Sequence, residues 1–212
     1  MINLAFSELL KEITEDDIKK EAASIPHFLR EKNTAYIEHI LLKKHRPSAY
    51  RSLASLRLLG KLLYPLTASP VLKRDKNGRP YLIDLDKIDF NISHTESLEI
   101  CAVCVSENSD IAPKVGIDVE DIYIKDPTAL VDRFFSEGEK QYFYASDNKK
   151  QTFTEIWTKK EAYIKYIGTG LATPLTSFDT TANPGVKFET FKHGNSIITV
   201  CADSRSFPII YG

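Results

Sequence analysis

Hydrophobic positions recur at helical spacing in two parts of the chain. In the first part, leucines stand three or four residues apart, which predicts a helix over residues 49–63 with one apolar face: Leu53, Leu56, Leu59 and Leu63. Arg46-Pro47-Ser48 is a helix start signal just before it, and Pro65 follows its end. The second pattern predicts a helix from Phe153 to Ile167, and this is the helix that the sequence indicates most clearly.

Shorter apolar stretches between turn residues predict strands at Phe90–Ser93, Leu98–Val105, Val115–Val119, 186–191 and 196–202. A further helix is predicted over Ala129–Phe143, and residues 76–80 have turn chemistry. Residues 1–45 show only short amphipathic pieces, of which FLREKNTAYIEHILLKK is the most helical. Each half contains a helix followed by paired strands, which hints at an internal duplication. We therefore predict an α+β fold in two similar halves, residues 1–109 and 110–212, with the last strand pair closing the fold.

Composition narrows the class of protein. The chain has 212 residues, a formal net charge of −1 and 42% hydrophobic residues, enough for a sizeable core. No apolar run approaches the roughly 20 residues of a membrane span, and the acidic N-terminal segment is unlike a signal peptide. We therefore expect a cytoplasmic protein without membrane attachment. The near-neutral charge argues against general nucleic-acid binding, and Cys101 and Cys104 are expected to be buried thiols on a strand.

Two acidic residues, separated by one valine, lie at the end of one predicted strand. Side chains alternate along a strand, so Asp118 and Glu120 share a face while Ile117 and Val119 point into the core. Neighbouring carboxylates repel each other unless a positive group lies between them, and a hard divalent cation is a natural neutraliser. Two solvated acids at a strand terminus are the ordinary alternative.

The helix over residues 153–167 carries three charged residues of interest. Glu161 and Lys165 are four apart on the flank of its apolar stripe, an arrangement that also stabilises a surface helix by ~0.2–0.5 kcal/mol. Lys160 projects from the middle of the stripe, where an unpaired ammonium would be costly. We expect Lys160 to reach a polar partner or an anion, with this helix face bordering a cleft.

Candidate phosphate contacts lie in the first half. Ser93 and His94 end a predicted strand and are able to donate hydrogen bonds to a phosphate. A basic stretch from Lys43 to Arg51 surrounds the start of the first long helix, where anions are favoured. A structural histidine and solvated charges explain the same residues without any ligand.

The order of these motifs along the chain is more specific than any one of them. GRP at 78–80, FNISH at 90–94, GIDVE at 116–120, RFFSEGE at 133–139, WTKKEAYIK at 157–165 and GTGL at 168–171 together resemble the 4′-phosphopantetheinyl transferase superfamily. The length and two-part layout are similar to its larger, surfactin-synthetase-activating type. That resemblance implies a monomer whose halves pack as a pseudo-twofold dimer within one chain.

The resemblance implies a role for each matching residue. The metal ligands for Mg²⁺ would be Asp118, Glu120 and Glu161. Catalysis would rest on Glu161, as candidate base for the acceptor serine, and on Lys165. The contacts with coenzyme A would come from Arg51, Ser52, Arg79, Ser93, His94 and Lys165. Arg79 stands where the family usually has lysine, and the role of Glu139 is left open between structural and catalytic.

The implied reaction is that of a holo-[acyl-carrier-protein] synthase. The phosphopantetheine arm of coenzyme A would pass to a serine of an apo acyl or peptidyl carrier protein, with release of 3′,5′-ADP. Two other functions use some of the same residues. One is a metal-dependent phosphodiesterase or nuclease, in which water replaces serine. The other is a non-catalytic carrier-binding or scaffold protein.

Overall fold

The structure is a computed structural model that describes residues 1–106, 113–123, 125–182, 185–203 and 209–211. The chain divides into two compact units, Met1–Pro113 with Ser206–Gly212, and Lys114–Arg205. The predicted boundary between residues 109 and 110 lies outside the described residues and stays a prediction. Among the described helices, none is long and apolar enough to cross a membrane.

The first unit is built on an antiparallel sheet. Its elements in chain order are β1 (Ile2–Glu8), α1 (Glu15–Ser24), α2 (His27–Lys32), α3 (Thr34–Leu41), α4 (Arg46–Leu63), β2 (Leu72–Arg74), β3 (Pro80–Leu82), β4 (Ile88–His94) and β5 (Leu98–Val105). The strand order is β4-β5-β1, and a short strand at Ile209–Tyr211 pairs in parallel with β1. The leucines of α4 pack on Phe90, Cys101 and Val103 of the sheet. The predicted helix over residues 49–63 and the strand pair after it are confirmed.

The first 45 residues differ from the prediction. Residues 2–8 form β1, with Ile2 and Leu4 fully buried, and are not an amphipathic helical piece. The helical stretch over residues 28–44 is broken at Asn33. The buried Asn33 amide donates to Leu29 O and Pro70 O at 2.7 and 2.9 Å, and its Oδ1 accepts from Leu72 N at 2.7 Å. Asn33 thus ties the start of β2 to the helices, which its position in the sequence does not show.

The second unit also places a long helix on an antiparallel sheet. Its elements are β6 (Val115–Asp121), α5 (Thr128–Phe134), α6 (Glu137–Ala145), α7 (Lys149–Ile167), two short 3₁₀ turns (Gly170–Ala172 and Leu175–Ser177), β7 (Lys187–His193) and β8 (Ser196–Ala202). The strand order is β6-β8-β7. The strand at Ile209–Tyr211, named β9, follows this pair, so β7 and β8 are not the closing strands. The predicted single helix over 129–143 is also wrong, since it breaks at Phe135–Ser136.

The break between α5 and α6 has a local cause. Ser136 caps α6 by accepting a hydrogen bond from Glu139 N, while Glu139 Oε2 accepts from Ser136 N at 2.9 Å. This reciprocal capping box starts a new helix. At the other end of the unit, α7 ends at Gly168, whose φ of 75° is the left-handed conformation that glycine tolerates.

The two units repeat one topology. In each, a first strand leads to a long helix and then to a strand pair, and the last strand pairs antiparallel with both others. β1, α4, β4 and β5 correspond in this order to β6, α7, β7 and β8. The duplication suggested by the sequence therefore appears in the connectivity of each unit. The three cysteines, Cys101, Cys104 and Cys201, are buried thiols on β5 and β8, as predicted for the first two.

Gly116 sets how closely α7 approaches β6. A Cβ at Gly116 would lie 2.0 Å from Ala162 O and 2.5 Å from Tyr166 N. Both neighbours are backbone atoms of α7, so no side-chain movement relieves the overlap. The glycine of GIDVE thus allows direct backbone packing of the helix on the strand.

We predict that Gly116→Ala destabilises the protein by about 1–3 kcal/mol or more, because overpacking forces two backbones apart. Urea denaturation measures the change. Gly138→Ala is the comparison variant, since its Cβ meets a side-chain oxygen of Asp179 and not two backbone atoms of a packed helix. An equal or larger loss in Gly138→Ala would contradict this explanation.

Candidate active site

The face of β6 that receives α7 carries two acids. Asp118 and Glu120 lie on the same face of the strand as Gly116, as strand alternation predicts. Asp118 is 4% exposed and Glu120 is half-buried. Asp118 is opposite Thr199 of β8, whose hydroxyl bonds to that of Thr158 on α7 at 2.9 Å. The acids therefore stand at the helix–sheet junction and not on a solvated strand end.

Helix α7 brings Glu161 and Lys165 to the same place. Lys165 Nζ donates to Asp118 Oδ1 at 2.7 Å, with the Asp118 side chain 6% exposed and that of Lys165 28%. Glu161 lies one turn before Lys165 and is half-buried. The structure thus brings together the four residues of the second unit to which the resemblance gave roles in metal binding and catalysis.

The pKa values show that the three carboxyl groups lie near one another. Burial, with the charges of Asp118, Glu161 and Asp121, raises the pKa of Glu120 to about 7 against the opposing effect of Lys165. Burial and the charge of Asp118 also raise the pKa of Glu161. For Glu120 and Glu161, burial and the neighbouring acids thus outweigh the opposing effect of Lys165 on the pKa.

This set of oxygen donors fits a hard divalent cation in its chemistry. The side chains do not form a ready-made coordination sphere, since among the described residues no three His, Cys, Asp or Glu are grouped as a metal site. The ammonium of Lys165 instead lies against Asp118. Asp118, Glu120 and Glu161 are the residues that would hold Mg²⁺, and the feature in its favour is that their carboxylates are oxygen donors at one partly buried junction.

Lys160 has a buried partner. Its Nζ donates to Glu139 Oε2 at 2.5 Å and to Phe178 O at 3.1 Å, and both side chains of the ion pair are fully buried. The ammonium also lies 4.4 Å from the ring centre of Phe178. The expectation that Lys160 reaches a polar partner is confirmed. The expectation of a cleft along this helix face is wrong at Lys160, because Glu139 fills the space.

Glu139 holds the segment after α7 in place. Its Oε1 accepts from Thr180 N and Thr180 Oγ1 at 2.9 and 2.8 Å. Asp179 accepts a further bond from Ser136 Oγ at 2.6 Å. The RFFSEGE motif thus caps α6 and fastens residues 178–180 to α7, so the described contacts of Glu139 are structural.

The first unit positions Arg51 and Ser52 on the second turn of α4. Arg51 is half-buried, and its Nε finds no hydrogen-bond partner among the described residues. Ser52 Oγ donates to Ser48 O at 2.9 Å and accepts from Lys43 Nζ at 2.8 Å. Lys43 is a participant that the motifs did not single out, although the basic stretch before α4 contains it.

The other candidate contacts lie on or beside β4. His94 is exposed and opposite Glu99, whose carboxylate accepts a hydrogen bond from Ser55 of α4, so His94 is on the α4 side of the sheet. Ser93 is 6% exposed and faces the other side. Arg79 donates to Asp89 Oδ2 at 2.7 Å in a half-buried ion pair. Of these three, only His94 shares the helix-facing side with α4.

The second unit is similar to a known protein family. Residues 114–207 match the model of the 4′-phosphopantetheinyl transferase superfamily. Over these residues the chain is similar to this superfamily. The match covers β6, α7 and all the acids of the second unit.

Several relatives carry the transferase name. The chain is 34% identical to the 4′-phosphopantetheinyl transferase gsp of Aneurinibacillus migulanus over 155 residues, which cover 70% of this chain and 60% of that protein. It is 35% identical over 147 residues to Sfp of Bacillus subtilis strain 168, covering 63% and 59%. The chain thus spans about three fifths of the length of these relatives. The holo-[acyl-carrier-protein] synthase of Thermotoga maritima aligns at a TM-score of 0.32 and 20% identity over 42% of this chain and 61% of that one, too weakly to define a shared fold.

We predict that Lys160→Met destabilises the protein by about 3–5 kcal/mol, since it leaves the buried Glu139 without its cation. Lys159→Met, at the neighbouring position, should change the free energy of unfolding by less than about 0.5 kcal/mol. Urea denaturation compares the two. Equal stabilities would show that Glu139 does not need Lys160.

A second prediction concerns pH without metal. The pKa of Glu120 is raised from 4.5 to about 7 in the folded state, so the stability linked to it is present below 4.5 and is lost as pH rises through about 7. Glu120→Gln should remove that loss. Melting temperatures in EDTA across this window, compared between wild type and variant, measure it. Parallel curves for the two proteins would contradict the raised pKa.

Proposed function

We propose that this chain transfers the 4′-phosphopantetheine group of coenzyme A to a serine of an apo carrier protein, with Mg²⁺ and release of 3′,5′-ADP. The observation that carries the proposal is the grouping of Asp118, Glu120, Glu161 and Lys165 at the α7–β6 junction, in a segment that is similar to this superfamily. The transferase names of the relatives support the same reaction.

Each residue has a role suited to its surroundings. Coenzyme A carries a diphosphate and a 3′-phosphate, whose negative charge repels an attacking oxygen. When bound, Mg²⁺ supplies positive charge to the diphosphate oxygens and the leaving group. Asp118, Glu120 and Glu161 would hold it, and its charge would offset their repulsion.

The proton transfer falls to Glu161. Glu161 is a half-buried carboxylate on α7, one turn before Lys165, and a carboxylate is able to accept a proton from a hydroxyl group. Glu161 would take the proton of the serine hydroxyl as the serine oxygen attacks the β-phosphate. Lys165 would donate a charge-assisted hydrogen bond to a phosphate oxygen in place of Asp118.

The first unit would supply further contacts with coenzyme A. Arg51, Ser52, Arg79, Ser93 and His94 would contact coenzyme A from the first unit. From the resemblance, we also propose that the two halves pack around a pseudo-twofold axis and that the protein is a cytoplasmic monomer. The carrier would be an acyl or peptidyl carrier protein.

We predict that incubation with Mg²⁺, coenzyme A and an apo carrier protein adds the mass of one phosphopantetheine to a single serine. EDTA should stop the reaction. Mass spectrometry of the intact carrier measures the gain. Absence of a gain with several acyl and peptidyl carriers would reject the transferase, and cleavage of coenzyme A without a carrier would favour the phosphodiesterase.

A pair of matched variants tests the role of Glu161 in that assay. Glu161→Gln should lower turnover by about 100-fold or more, because it removes a metal ligand and the proposed base. Glu155→Gln, on the same helix, removes an acid that accepts a hydrogen bond from Gln151. It should retain most of the activity. Equal rates for both variants would remove Glu161 from the mechanism.

A further inference from the structure

One fully buried carboxylate of the first unit has no part in the reaction described above. Glu99 stands near the start of β5, on the side of the sheet that faces α4, and is 0% exposed. Cys101, the next residue on that face, is a core thiol whose pKa is raised by burial and by the charge of Glu99. A buried carboxylate is costly unless charged or hydrogen-bonding groups compensate it. The groups around Glu99 therefore determine what this residue does.

Strand register identifies the neighbours of Glu99. The residue is directly opposite His94 of β4 on one side and Ser7 of β1 on the other. Directly opposite side chains share a face of the sheet, with Cβ atoms about 4.5–5.5 Å apart. From the helix, the Ser55 hydroxyl donates a hydrogen bond to Glu99 Oε1. His94 is exposed whereas Glu99 is not, so His94 is the solvent-facing member of this cross-strand pair.

Two arginines of α4 lie near this face, and their contacts are directed elsewhere. Arg57 forms an ion pair with Glu21 of α1 at 2.5 Å. Arg51 is one turn before Ser55 and, among the described residues, forms no salt bridge. A histidine becomes positively charged when its imidazole is protonated. The register therefore favours His94 as the cation that offsets the charge of Glu99.

A carboxylate beside an imidazole changes the imidazole in two ways. It favours the protonated form, because an opposite charge within about 4–6 Å stabilises the charged state of a group. It also orients the ring, because one ring N–H donates to the carboxylate. The second nitrogen of a neutral imidazole is then an acceptor, which repels a phosphate oxygen. In an imidazolium the same nitrogen carries a proton and is able to donate to an anion.

We propose that Glu99 is a positioning residue that pairs with His94, keeps it as an imidazolium near neutral pH and directs its second N–H toward solvent. Ser55 holds the carboxylate of Glu99 from α4. The anion that receives the second N–H would be a phosphate of coenzyme A, and this assignment rests on the proposed function. Glu99 itself would not touch the ligand, since it is fully buried.

The pKa of the His94 imidazole tests the pair without any ligand. Titration by NMR, with His94→Gln to assign the signal, should place this pKa about 1–3 pH units above the ordinary value near 6.5 in the wild type. Glu99→Gln keeps an acceptor for Ser55 but removes the charge, so the pKa of His94 should fall to about 6.5 or below. Glu96→Gln removes an exposed acid from the turn between β4 and β5 and should leave the pKa near the wild-type value.

The wild-type titration decides the question even if Glu99→Gln does not fold. A His94 pKa near 6.5 in the wild type would overturn the proposal. The same holds for equal pKa values in the wild type and in a Glu99→Gln protein whose melting curve shows that it is folded.

Binding of coenzyme A tests the direction of the second N–H. Calorimetry with Mg²⁺ compares the wild type with Glu99→Gln at about pH 7.5, where an imidazole of pKa 6.5 is protonated in about one molecule in ten. The affinity of Glu99→Gln should therefore be lower by about fivefold or more, and most of it should return at about pH 5.5. A purely structural role for Glu99 would give an equal loss at both pH values, which would overturn the proposal.

The outcomes separate the positioning role from the proposed reaction. A protein whose His94 pKa and affinity for coenzyme A depend on Glu99, but which modifies no carrier, would keep the positioning role and reject the transferase. Modification of carriers by a protein whose His94 titrates near 6.5 would keep the transferase and reject the positioning role.

Discussion

The direct contact between the backbones of β6 and α7 is the constraint on which the second unit depends. At Gly116 the two elements are so close that even one Cβ would lie 2.0 Å from a carbonyl oxygen of the helix. The same approach brings Lys165 of α7 within hydrogen-bond distance of Asp118, two residues along the strand. A helix one side chain further away would leave Asp118 and Glu120 facing water as ordinary surface acids. The positions of Asp118, Glu120 and Lys165 relative to one another thus depend on the close backbone contact at Gly116.

The close approach also has an electrostatic cost. Asp118, Glu120 and Glu161 share a partly buried junction with Lys165, where burial and the charges of neighbouring acids raise the pKa of Glu120 to about 7. Elsewhere on α7 the balance is complete, because Lys160 and Glu139 form a fully buried pair with further hydrogen bonds to both groups. The two groups differ in charge balance. Lys160 and Glu139 neutralise each other, whereas the acids at the α7–β6 junction outnumber the lysine beside them.

Local patterns predicted most elements, and the exceptions have identifiable causes. Apolar residues at helical spacing located α4 and α7, short apolar stretches located β4, β5 and β6, and strand alternation placed Asp118 and Glu120 on one face. The capping box of Ser136 and Glu139 is a local signal that predicts the break between α5 and α6, but the continuing apolar periodicity obscured it. No local signal identifies Glu139 as the partner of Lys160, because the pairing depends on how α6 packs on α7. The strand β1 likewise depends on pairing between residues about a hundred positions apart, Ile2 with Cys104.

The repeated topology carries charged side chains of opposite sign in the two units. In both units a hydroxyl of the long helix bonds to the central strand, Ser55 to Glu99 and Thr158 to Thr199, so the platform is built in the same way. The charged side chains beside the long helix differ between the units in the sign of their charge. The first unit surrounds the start of α4 with Lys43, Arg51 and Arg74, none of which forms a salt bridge within the described residues. The second gathers carboxylates beside α7. The two units therefore combine one topology with charged side chains of opposite sign, since a topology does not determine which chemical groups are presented on it.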